Sequence, residues 1–319
     1  MNRKISRAIV VLTILAMVAI VGTAKTGTYV MQDIGPDMMA SSMNDKGQIV
    51  GYTNYSSGLW QAIIWENGEI RVLGTLPGGS WNVATSINDK GQIVGNGVSA
   101  SGQTHAVLWE NGNITDLGTF TEGRPSYADD INDKGQIIGN SYSASGKQRA
   151  VFWENGQEIK DLGTLSGGSW SIAESINDKG QIVGNGDNAS GISHAILWEN
   201  GNIIDLGILP GGRASGALSI NNEEQITGFS LSSSLSWIPT LWENGNIIDL
   251  GILPGGKSGI AWNINDKGQI VGTTDWGRAT LWENGNIIDI KGNDPRNINN
   301  KGEIVGFSNG NATLWKLIK

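Results

Sequence analysis

The segment Ile87-Asn88-Asp89-Lys90-Gly91-Gln92-Ile93-Val94-Gly95 recurs with small changes about every 44 residues, its Asn standing at Asn44, Asn88, Asn132, Asn177, Asn221, Asn265 and Asn299. A second element, Leu-Trp-Glu-Asn-Gly or a near variant, sets Trp65, Trp109, Trp153, Trp198, Trp242, Trp282 and Trp315 at the same interval. A third, Asp-Leu-Gly, follows at Asp116, Asp161, Asp205 and Asp249, with looser copies at Val72 and Asp289 and an isolated early copy at Asp33. A fixed period of this size means that one supersecondary unit is repeated and that each unit buries its apolar surface against the next.

Each unit reads as four short strands. In the second repeat these are Ala84 to Asp89, Gln92 to Asn96, His105 to Glu110 and Asn113 to Leu117. Asn88-Asp89-Lys90-Gly91 suits a type I turn closed by a left-handed glycine, and Asn111-Gly112 suits a two-residue type I′ hairpin. Four antiparallel strands in about 44 residues make a propeller blade. The 47 glycines and 13 tryptophans among 319 residues agree with short strands and tight turns.

The strand count at the two ends predicts how the ring closes. The first repeat-like stretch, Tyr29 to Ile34, is a fourth-strand sequence, whereas the chain stops on a third-strand sequence, Ala312 to Trp315. The N-terminal strand can therefore complete the last blade and remove both open edges. The expected fold is an all-β, seven-bladed propeller over residues 25–319.

The repeated tryptophans are assigned to the core. Burying one ring removes roughly 150–250 Å² from water, up to about 4–6 kcal/mol before entropy is subtracted.

The combined motif resembles the HAF family of extracellular repeats, whose unit runs approximately His-Ala-Phe-Leu-Trp, Gly, Asp-Leu-Gly, then Ile-Asn with Gly-Gln-Val-Val-Gly. His105-Ala106-Val107-Leu108-Trp109 and His194-Ala195-Ile196-Leu197-Trp198 carry it best, and the likeness spans all seven repeats. The resemblance implies an exported protein and supplies no catalytic residues.

The N-terminus points the same way. Arg3, Lys4 and Arg7 precede an apolar run from Ala8 to Gly22 and the small residues Gly22, Thr23 and Ala24. This is the order of a signal peptide, and the run is shorter than the about 20 residues that span a bilayer. Cleavage after Ala24 is expected, with a retained anchor as the alternative. The mature chain is then a soluble extracellular or cell-surface monomer without a membrane span.

No cysteine is present, so disulfides and thiolate metal sites are excluded. A net charge of −8 opposes nucleic acid as a partner. His105 and His194 stand two blades apart, and the Asn-Asp-Lys-Gly turns lack the acidic density of a calcium loop, so neither metal nor cofactor is expected.

Because strands alternate in direction, both tight turns fall on one face of the disc and both longer joins on the other. Function is expected on the long-loop face. The non-repeated Trp60, Trp81, Trp170, Trp237 and Trp276 are placed in its loops and Trp262 on an inner strand, all six being ligand-stacking candidates for a glycan or protein. The competing reading is that these rings cap the blades. One inner-strand position diverges among the repeats as Ser41, Thr85, Asp129, Glu174, Leu218, Trp262 and Arg296. Asp129 and Glu174, on adjacent blades and with Arg296 near, form an alternative acid–base site for polysaccharide hydrolysis or lyase chemistry; the competing role is plain pore lining.

Overall fold

The computed structural model describes residues 28–53, 59–154, 158–275 and 277–318. The expected signal segment, residues 1–24, and Trp276 lie outside them.

Seven four-stranded antiparallel sheets follow one another along the chain. In blade 2 the strands run from the inside outward as Asn82–Ile87, Ile93–Val98, Thr104–Glu110 and Asn113–Asp116. Blade 7 comprises Pro295–Ile298, Ile304–Ser308 and Asn311–Ile318, and its outer strand is Thr28–Pro36 from the other end of the chain. Tyr29 pairs with Leu317 and Met31 with Trp315, so the ring closes through the displaced strand that the repeat count implies.

The turns obey their sequences. Gly91 has φ 82° and donates its N–H to Asn88 O at 3.0 Å, and the hairpin residues Asn111 and Gly112 have φ 51° and 77°. Blade 5 keeps the same first turn although Glu224 replaces the glycine, and Glu224 is forced to φ 65°. A non-glycine residue there costs on the order of 1 kcal/mol.

Apolar clusters lie between neighbouring blades. One joins Val50 and Ile64 of blade 1 to Ile87, Ile93, Val107 and Trp109 of blade 2. All seven repeated tryptophans are buried, Trp153 and Trp315 fully. Trp109 Nε1 donates to Gly74 O at 2.7 Å, Trp153 Nε1 to Leu117 O at 2.9 Å and Trp282 Nε1 to Gly251 O at 3.0 Å, each acceptor following the outer strand of the preceding blade. In these blades the ring supplies apolar area while its N–H ties blade to blade, whereas Nε1 of Trp198 and Trp242 is buried without such a partner.

Every inner strand has a register shift at the same place, which in blade 2 falls between Ala84 and Ser86 and leaves Thr85 outside the ladder. The other six shifts bracket residues 41, 129, 174, 218, 262 and 296. The divergent position found in the sequence is therefore a β-bulge in all seven blades. The glycine opposite permits it: a Cβ on Gly95 would lie 2.1 Å from Val83 O.

Candidate functional site on the long-loop face

The two faces of the disc are built differently. On the short-turn face, Asp45 N donates to Asp89 Oδ1 at 2.8 Å, Asp89 N to Asp133 Oδ1 at 2.8 Å and Asp133 N to Asp178 Oδ1 at 2.9 Å. The series continues through Asn222, Asp266 and Asn300 and returns from Asn300 N to Asp45 Oδ1 at 2.7 Å. A second closed ring runs one residue earlier, each Asn side chain donating to the next blade's Asn carbonyl, from Asn44 to Asn88 O at 3.0 Å and finally from Asn299 to Asn44 O. These rings surround an axial cavity of about 200 Å³. Sequence reasoning took this segment as a turn alone and missed the rings. The readable signal is that the second turn residue always bears an oxygen on Cγ, as Asp five times and as Asn222 and Asn300 otherwise.

Above the rings stand the bulge residues, with Asp129 and Glu174 on neighbouring blades. Asn140 Nδ2 donates to Asp129 Oδ2 at 2.5 Å, and Asn185 Nδ2 to Glu174 Oε1 at 3.2 Å. Burial pushes the Asp129 carboxyl up to about 7 despite the Asn140 bond, with the nearby Asp130 adding to it. Burial and then repulsion from Asp129 push Glu174 up to about 8. Asp130, one residue further along, is also raised by burial, although Ser86 Oγ and the Ile176 and Ile131 N–H groups all donate to it. Asp129 and Glu174 keep partial solvent exposure, so the pair forms a crowded, partly desolvated inner lining. Arg296 does not join it. Its guanidinium donates to Asp294 at 2.6 Å and lies 5.3 Å from the centre of the Trp262 ring.

The non-repeated tryptophans divide into distinct environments. Among the described residues, Trp60 (51% exposed) and Trp237 (39%) are the open ones. Trp237 begins the third strand of blade 5 rather than lying in a loop, because Leu231 pairs with it across the hairpin. Trp60 and Trp237 occupy equivalent blade positions, and each packs on a second-strand aromatic: Tyr52 at 5.4 Å and Phe229 at 4.7 Å between ring centres. Trp81 is half-buried, edge-on to Trp60 at 6.2 Å. Trp170 is half-buried, and its backbone N–H donates to Asp187 Oδ1 at 2.9 Å, as does that of Ser169 at 2.6 Å. Trp262 donates Nε1 to Thr273 Oγ1 at 3.1 Å and has Arg296 over its ring.

Two clefts open beside the exposed rings. One, of about 440 Å³, is lined by Trp237, Thr273, Asp275, Asn293 and Asp294 among others. The second, of about 340 Å³, is lined by Asp37, Tyr52, Thr53, Trp60 and Phe307 among others. Each sets an aromatic face against carboxylate, amide or hydroxyl groups, the combination that holds the C–H face and the hydroxyls of a sugar.

His105 and His194 are structural. Their Nδ1 atoms lie 2.8 Å from Asp116 Oδ2 and Asp205 Oδ1, and each Asp also accepts the N–H of the following glycine. Arg149 and Arg278 contact Asp161 and Asp289 in the same way. The opening residue of the third strand and the Asp of Asp-Leu-Gly are therefore one cross-strand unit, which the motif spacing alone did not reveal.

No protein-family model matches the chain, and no curated protein matches it. Solved structures match through the fold. A puromycin-hydrolysing peptidase from Mycobacterium tuberculosis matches with a TM-score of 0.58 at 10% identity, over 86% of this chain and 49% of that one. A catalytically inactive virginiamycin B lyase from Staphylococcus aureus matches at 0.56 and 13%, over 91% and 100%. The propeller domain of the Trilobed protease of Pyrococcus furiosus matches at 0.56 and 11%, over 88% and 98%. That domain is described as having an open velcro topology, whereas here the terminal strands pair and close the ring. The chain is a seven-bladed β-propeller.

Proposed function

We propose that this propeller is an exported binding protein that holds an extracellular glycan on its long-loop face. The observation that carries the reading is the cleft of about 440 Å³ in which the open Trp237 ring faces Asp275, Asn293 and Asp294. A ring that can stack and carboxylates that accept hydroxyl hydrogen bonds suit a sugar better than an apolar ligand. Export rests on the basic, apolar and small-residue order of residues 3–24 and on the resemblance to HAF repeats. The secreted protein on a glycan array should retain at least one glycan, and Trp237→Ala should lose it at unchanged melting temperature. Retention of the same glycan by the variant excludes this cleft.

A second reading is hydrolase or lyase chemistry at the inner-strand bulges of blades 3 and 4, favoured by the side-by-side placement of Asp129 and Glu174 on adjacent blades, where burial pushes the carboxyls up to about 7 and 8. At neutral pH such a pair keeps a proton to donate and a carboxylate to accept one. Arg296 is engaged by Asp294 and does not contribute. Release of reducing or unsaturated ends from a polysaccharide panel, abolished by Glu174→Gln, would establish this reading; no release by the native protein refutes it.

A further inference from the structure

We infer that the two aromatic clefts are subsites for one extended, uncharged glycan that crosses blade 7; this rests on the glycan-binding reading above. The clefts adjoin blade 7 from either side, one lined by Asp294 at its entry and the other by Phe307 and Gly310 at its second hairpin. The joins there are the shortest on this face among the described residues. The outer strand of blade 6 ends at Asn293 and the next strand begins at Pro295, with Asp294 alone between them. Likewise Thr28–Pro36 and Met38–Met43 are separated by Asp37 alone. By contrast, blade 2 ends at Asp116 and blade 3 begins at Ser126. The second hairpin of blade 7 is also tight, turning at Asn309 and Gly310 with φ 53° and 89°. The long-loop face is consequently lowest over blade 7, between the two open tryptophans.

The two ends of this low path repeat one chemistry. Asp37 and Asp294, the single-residue joins, both take left-handed backbone, φ 54° and 43°, and each lines its cleft with one open tryptophan. Such conformations cost non-glycine residues on the order of 1 kcal/mol and cluster where backbone geometry serves a site. Asp294 is paired with Arg296 at 2.6 Å, so that end is close to neutral. The exposed Asp37 at the other end and the net charge of −8 disfavour uronate or sulfated polymers and leave carboxylate oxygens to accept hydroxyl hydrogen bonds from neutral ones. Two subsites on one rigid disc gain affinity for a ligand long enough to reach both, because the second contact is intramolecular.

The test uses xylan, β-glucan and chitin oligosaccharides of two to eight residues, with alginate and polygalacturonate as anionic probes, by titration calorimetry. For at least one neutral series the octamer should bind more than tenfold tighter than the trimer. Trp60→Ala and Trp237→Ala should each erase that length gain while leaving trimer binding at the other cleft, and the double variant should bind neither. Equal affinity of trimer and octamer, or a Trp60→Ala variant that keeps the gain, overturns the bridging inference while the glycan-binding reading survives. Tighter binding of an anionic probe overturns the neutral assignment. Absence of binding to every probe, with Trp237→Ala indistinguishable from native on the array, removes both.

Discussion

The short-turn face and the long-loop face are made by the same strands and have opposite characters. On the first, every blade contributes the same turn, and side chains and N–H groups close into two complete rings. On the second, join length, bulge residue and aromatic content all change from blade to blade. A ring of equal contacts fixes the geometry of the disc and has little freedom left for recognition. The unequal face bears the open tryptophans and their two clefts, whereas the clefts of about 380 and 440 Å³ beside the short turns are lined by turn and outer-strand residues such as Glu223, Asn244, Gly91 and Asn111. The irregularity of the unequal face costs little because the opposite face and the inter-blade core hold the fold.

The largest effect expected from this contrast is in the core and should be nearly absent on the long-loop face. Trp153→Ala should cost about 3–5 kcal/mol in denaturant unfolding, whereas Trp60→Ala should cost less than about 1 kcal/mol. Equal losses would dissolve the distinction between the repeated and the non-repeated rings.

The next effect belongs to the rings. Asn88 is buried, donates to Asn132 O and Gln92 Oε1, and accepts the Lys90 and Gln92 N–H groups. Its replacement by Ala should cost about 2–4 kcal/mol, since several buried partners lose their bonds at once. Asp89→Asn keeps the acceptor oxygen, as Asn222 and Asn300 do, and should leave the melting temperature within a degree or two. A large loss from Asp89→Asn would mean that the ring needs charge and not merely an oxygen.

The carboxyl pair predicts an unusual pH profile. Asp129 and Glu174 have folded pKa values raised above those of the unfolded chain. Between about pH 4 and pH 8 the unfolded state therefore binds fewer protons than the folded one, and stability falls as pH rises through that window. Each group contributes a slope of at most about 1.4 kcal/mol per pH unit. Melting temperature measured from pH 4 to 9 should decline up to about pH 8 and then level. Asp129→Asn with Glu174→Gln should lessen the decline and raise the plateau, the raised Asp130 keeping part of the slope. A native profile that rises from pH 4 to 8 contradicts the assigned burial of this pair.

The smallest effect is at the one turn that breaks the repeat. Glu224→Gly should relieve the positive φ and stabilise by up to about 1 kcal/mol, set against the loss of an exposed, solvent-screened contact between Lys179 and Glu224 at 2.8 Å. Pairing this change with Lys179→Ala separates the two contributions by thermal denaturation.

The strands, turns, buried tryptophans and ring closure were legible because each is written locally: repeated short apolar runs, Asn-Gly hairpins, and a fourth-strand sequence at the beginning of a chain that ends on a third. The rings were not legible, since their bonds join residues about one repeat apart and show only as an exchange of Asp for Asn at one turn position. The bulge was visible as a divergent column of residues, but nothing local says that Arg296 turns to Asp294 and Trp262 instead of the carboxyl pair. The clefts depend on how short the joins around blade 7 are. Their one sequence trace is the interval from Asn265 to Asn299, 34 residues where most others are 44.

The central claim is that recognition belongs to the long-loop face alone, and affinity measured on face-specific variants tests it most directly. For a glycan retained on the array, Trp237→Ala should weaken binding more than tenfold, about 1.4 kcal/mol, at unchanged melting temperature. Lys90→Ala with Lys179→Ala, on the short-turn face, should leave the affinity as it was. Loss of binding in the lysine variant with full binding in the tryptophan variant would put the ligand on the opposite face and contradict the account.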